Sequence, residues 1–127
     1  MKPEQFIREF GVEKAREVVE GAPEGSSHLQ AIGSEKLIHY FGVKDEDVQL
    51  FFINHWRPTC FDPSDLDDDL FISLEHFKRL VESVDLVNSL GGLKAARSEA
   101  YKDCFAYNQS LLAAIATYES IYGGNYE

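Results

Sequence analysis

Aspartates at alternate positions are the chain's most chemically suggestive feature: Asp65, Asp67 and Asp69, followed by Ile72 and an apolar stretch from Phe77. Alternating carboxylates, then an aliphatic residue, then a helix is how a calcium loop gathers its oxygens. Such a loop also needs a glycine at its sharp turn and a bidentate Glu at its end, and the matching positions hold Leu70 and His76. Phe61, Asp62, Pro63 and Ser64 supply no entering helix. The run Asp62–Asp69 therefore reads as a solvated acidic link leading into a helix.

His28, His39, His55 and His76 share no metal-ligand spacing. His39 and His55, placed on neighbouring strands with Cys60 a few residues on, come nearest to a zinc set, but half-buried histidines account for them. No glycine-rich loop follows a strand in the phosphate-binding pattern, and no local signature gathers Ser, His and Asp. Cys104, among Lys102, Asp103 and Phe105, reads as a packed thiol. The expectation is a non-enzymatic protein with no cofactor and no metal.

What remains is surface chemistry. Phe51, Phe52, Trp56, Arg57 and Phe61 crowd one short region. With Tyr40 and Phe41 they complete a core, or some of them surface beside the acidic run as an aromatic patch with a charged rim, which suits protein binding. The candidate partner-binding residues are thus Asp62, Asp65, Asp67, Asp68 and Asp69 with Trp56, Arg57 and Phe61. The formal net charge of −10 over 127 residues points the same way, since it repels nucleic acid and anionic lipid and favours basic partners. Cys60 and Cys104 read as a reduced pair, and no apolar run approaches the roughly 20 residues that span a bilayer.

The elements that position these residues are readable from periodicity. Ser73 is an N-cap, and Phe77, Leu80, Val81, Val84, Val87 and Leu90 form one apolar helical face. Gly91 and Gly92 stop that helix, and a second restarts at Leu93 and runs to about Asp103. The last helix spans roughly 106–122. At the other end, residues 3–20 read as two short helices broken at Gly11. Between them the period changes to two: Leu29 and Ala31, then Leu37, His39, Phe41 and Val43, then Val48, Leu50 and Phe52. Three strands in a meander over 28–57 is the preferred reading. The rival makes 35–41 and 46–54 helices. The expected fold is α+β in one domain, 1–127: a helical pair (3–20), a small three-stranded antiparallel meander (28–57), an acidic link (58–72) and a C-terminal helical bundle (73–122). Gly11-Val-Glu-Lys-Ala-Arg16 echoes Gly92-Leu-Lys-Ala-Ala-Arg97, with Ile38, Phe41, Gly42 and Val43 a weaker third copy.

The segments REFGVEKAREVVEGAPEGSSH and ISLEHFKRLVESVDLVNSLGGLKAARSEA resemble small accessory proteins from the early regions of lambda-like phages and prophages. The shared pattern is a Gly-x-x-x-Ala amphipathic helix, Ala-Pro-x-Gly, an aromatic middle and a leucine/valine helix ending in Gly-Gly. The resemblance implies a protein acting in the bacterial host cytoplasm, with no catalytic residues. The function expected is binding to a host protein with a basic surface, such as a nucleic-acid-binding or defence complex, through an acidic, DNA-like surface. The alternative is a helix-turn-helix-like DNA-binding module on Lys94, Arg97 and Lys102. The C-terminal helix could also pack across a homodimer.

Overall fold

A layer of helices lies on one face of an antiparallel sheet in this computed structural model, which describes residues 2–32, 37–67, 70–102 and 109–123. The chain begins with α1 (Pro3–Phe10) and α2 (Val12–Glu20). Pro3 opens α1, where its missing N–H costs nothing, and Gly11 at φ +89° separates the pair. The sheet follows as β1 (His28–Ile32), β2 (Leu37–Lys44), β3 (Asp47–Phe52) and β4 (His55–Pro58). A 3-10 turn (Pro63–Asp67) and the two-residue β5 (Ile72–Ser73) lead to α3 (Leu74–Ser89), α4 (Leu93–Ala100) and α5 (Gln109–Tyr122).

The sheet has five strands in the order β4-β3-β2-β1-β5, against the three-stranded meander expected. Two strands were invisible to periodicity. β4 follows a two-residue turn at Ile53 and Asn54 that sets Phe52 opposite His55, and its Pro58 is tolerated because the strand is an edge. β5 pairs with β1 through Leu29 and Ile72, too briefly to show a period. The helical bundle also differs from expectation: α1 and α2 join α3, α4 and α5 in one layer and one core.

Register assigns the faces. Leu29, Ala31, Ile38 and Tyr40 share the inner face with Ile72, and all pack into the cluster formed by the helices. There α3 presents Phe77, Leu80, Val81, Val84 and Val87, as its spacing requires. Phe77 meets Phe6 edge-on at 5.2 Å, with both rings fully buried. Burying such a side chain contributes about 1.5–3 kcal/mol. Tyr40 fastens sheet to helices by donating to the Val18 carbonyl at 2.6 Å. Ser73 caps α3 by accepting from the His76 amide at 3.4 Å.

The helix–glycine–helix echo has a shape. Ala15 and Ala96 are both fully buried, and each donates its amide to the carbonyl of the break glycine, Gly11 at 3.2 Å and Gly92 at 2.9 Å. The third copy does not share it, since Ile38–Val43 lies in β2. α4 ends at Ala100, short of Asp103. Cys104 and the proposed start of the last helix at 106 lie outside the described residues. No helix among the described residues is long and apolar enough to cross a membrane.

Candidate functional site

The link after β4 folds back over the outer face of the sheet. Thr59 ties its start to β3, its amide and hydroxyl both donating to the Val48 carbonyl at 3.1 and 2.8 Å. Phe61, Leu66 and Phe71 then descend onto the sheet. Phe41, Val48, Leu66 and Phe71 form a second buried cluster, separate from the helical one. Phe61 stands edge-on to Phe41 at 6.1 Å and to Phe71 at 5.2 Å. The acidic link is thus a strap held by rings, where sequence showed only an irregular connection.

Its described carboxylates are exposed to solvent. The Asp62 amide donates to Asp65 Oδ2 at 2.8 Å, and the Ser64 hydroxyl donates to Asp62 Oδ2 at 2.6 Å, which shapes the 3-10 turn. Asp62, Asp65 and Asp67 are exposed, and among the described residues no cation stands within ion-pair distance of them. Asp68 and Asp69 lie outside the described residues. His28 lies opposite Phe41 on the outer face, its Nδ1 at 2.9 Å from the Ser27 hydroxyl. Burial holds its imidazole below the ordinary value, and the nearby Asp67 carboxylate offsets part of that shift.

The aromatic candidates divide between the two faces. Trp56 sits opposite Phe51, which is opposite Tyr40, so it belongs to the inner face and away from the strap. It is half-buried, edge-on to Phe51 at 5.2 Å, and borders a shallow cleft of about 240 Å3 with Gly25, Gly42, Lys44 and Gln49. Phe61 is committed to the strap's own ring cluster and is 36% exposed. Arg57 lies opposite Leu50, on the outer face with the strap. Its Nε donates to His55 Nε2 at 3.1 Å, and its guanidinium lies 5.4 Å from the centre of the Phe52 ring. The structure therefore brings Asp62, Asp65, Asp67, Phe61 and Arg57 to one face and puts Trp56 on the other.

His39 and His55 are not on neighbouring strands: β3 lies between β2 and β4. That separates their backbones by about 10 Å. Among the described residues no group of three or more His, Cys, Asp or Glu is placed to hold a metal ion. On α4, Arg97 reaches Glu119 of α5 at 2.6 Å and Lys94 is exposed, while Lys102, also exposed, lies beyond the helix.

One surface was missed in the sequence. The strap packs on the outer face at Phe41 and Val48. Elsewhere on that face Ile32 lies opposite Leu37, and the register that sets Tyr40 opposite Phe51 brings His39 level with Phe52. Leu37 is 60% exposed, and Ile32 and Phe52 are each 41% exposed. The signal was present in the alternation of Leu37, His39, Phe41 and Val43, but that face reads equally well as core.

No family model, curated protein or solved structure matches the chain.

Proposed function

We propose that the protein is a non-enzymatic binder that occupies a basic surface of a host protein with the carboxylates of its strap. The observation that carries this reading is the exposure of Asp62, Asp65 and Asp67 on a strap pinned to the sheet, with no cation at ion-pair distance among the described residues. Carboxylates so placed present negative charge at fixed spacing, which steers association with a cationic patch such as a nucleic-acid-binding site. Arg57 sits beside this surface. Trp56, being on the inner face, is dropped as an anchor. The setting, a phage or prophage protein at work in a bacterial cell, rests on the sequence resemblance alone.

The test is replacement of Asp62, Asp65 and Asp67 by asparagine. Capture of a basic protein from bacterial lysate should weaken at least tenfold while the circular dichroism spectrum is unchanged. Undiminished capture would remove the strap from the account. DNA binding through α4 is the weaker reading, because Arg97 is already engaged by Glu119. A low-salt gel shift abolished by Lys94→Ala would favour it.

A further inference from the structure

The helices leave part of the sheet's inner face without a role in the main core. Leu29, Ala31, Ile38 and Tyr40 of β1 and β2 pack into the helical cluster, whereas Phe51 of β3 and Trp56 of β4 are not part of it. Beside Trp56 lies the cleft of about 240 Å3 that Gly25, Gly42, Lys44 and Gln49 also border. The host contact proposed above makes no use of this cleft, since the strap is on the other face.

Three features set its chemistry. The first is an indole held in place. Phe51 meets it edge-on at 5.2 Å. The rim of its six-membered ring lies so close to the backbone that a Cβ at Gly42 would stand 3.2 Å from Cη2, and one at Gly25 3.7 Å from Cζ2. Trp56 is nevertheless only half-buried, so part of the ring stays open to solvent where it lines the cleft. Such a surface takes a second ring in an offset-stacked or edge-on arrangement. The second feature is Lys44, the one charged residue on the lining. Among the described residues its ammonium has no carboxylate at ion-pair distance. Asp47 stands opposite it across the β2–β3 turn but does not line the cleft. An indole alone would attract a cation. Lys44 repels one and selects an anion. The third feature is the Gln49 side-chain amide, which lines the cleft with no hydrogen-bond partner among the described residues. It offers a donor to an acceptor oxygen.

We infer that this cleft binds a small aromatic carboxylate. A single planar ring lies against Trp56, and its carboxylate sits between the Lys44 ammonium and the Gln49 amide. The volume decides against a peptide chain, because pockets for drug-sized ligands start at roughly 300 Å3. The fixed indole spares the site a rearrangement, but few atoms make contact and the lysine is exposed. The dissociation constant is therefore expected on the order of 1 mM.

Trp56 is the only tryptophan of the chain, so its fluorescence and its single indole N–H resonance report on the cleft directly. Benzoate is the probe. Titration with it should change both signals saturably. Benzamide keeps the ring and loses the charge, and cyclohexanecarboxylate keeps the charge and loses the planar ring. Each should bind roughly threefold more weakly or worse. Lys44→Gln, at an exposed position, should weaken benzoate binding by roughly three- to fivefold and remove its advantage over benzamide, with an unchanged circular dichroism spectrum. The inference is overturned by the absence of a saturable response to benzoate. It is equally overturned by benzamide or cyclohexanecarboxylate binding as tightly as benzoate, or by undiminished benzoate binding in the Lys44→Gln protein.

Discussion

His28 links a single side chain to a measurable pH response. The fold accommodates its neutral form, so its folded value lies below the 6.5 of an unperturbed imidazole. Well above that value both folded and unfolded chains hold it neutral, and its contribution is constant. As pH falls through 6.5 the unfolded chain takes up the proton first, and stability declines until the folded value is passed. The urea midpoint of the wild type should therefore drop as the pH is lowered through 6.5, and His28→Gln should flatten that slope. An unchanged slope would place the response on other groups. A second residue carries backbone strain. Asp45 and Glu46 form the two-residue turn between β2 and β3 with φ of +53° and +69°. Both central residues then lie in the left-handed region, as in a type I′ turn, where Asp-Gly is a favoured pair. Glu46→Gly should raise stability by about 0.5–1 kcal/mol, read from urea unfolding. Caps and breaks such as Ser73, Gly11 and Gly92 were legible in the sequence, because their chemistry is local. The fate of Trp56 was not, because Gly25 and Gly42, which make room for it, lie far from it in sequence.

Element pairing shows where that distance matters. A methyl group on Gly42 would come within 2.4 Å of the Gly25 carbonyl oxygen and 3.2 Å of the Trp56 ring. The loop before β1 thus lies directly on β2, and the Ser27 amide donates to the Phe41 carbonyl at 2.8 Å to hold it there. Gly42→Ala must push this loop away, at a cost of about 1–3 kcal/mol. The chain has one tryptophan, so the same substitution should shift its fluorescence to the red as Trp56 becomes wetter. A blue or unshifted spectrum with full stability would show that the loop yields freely. The helices were readable because an apolar stripe of period 3.6 must be buried somewhere. The strands were readable as strands, but alternation does not say which face is core. Leu37, His39, Phe41 and Val43 alternate cleanly, yet of these only Phe41 is buried. β2 turns Ile38 and Tyr40 to the helices instead. The acidic link gave no sign of its own anchorage, since Phe61, Leu66 and Phe71 follow no period and meet only on the sheet.

Across the whole molecule the net charge of −10 is spread over both layers, and the helices spend part of it internally. Arg16 pairs with Asp85 and also meets Glu13 at 2.6 Å, while Arg79 meets Glu75 at 2.7 Å. Exposed pairs such as Arg79–Glu75 contribute little individually, with a median near 0–1 kcal/mol. On the outer face of the sheet Asp62, Asp65 and Asp67 have no cation at ion-pair distance among the described residues. The rings beneath the strap decide what kind of surface results. A floppy run of aspartates would behave as a brush and would surrender much motional freedom on meeting anything. Riveted through Phe61, Leu66 and Phe71, the same carboxylates act as a stamp already cut to shape, so little ordering is left to be done at the moment of contact.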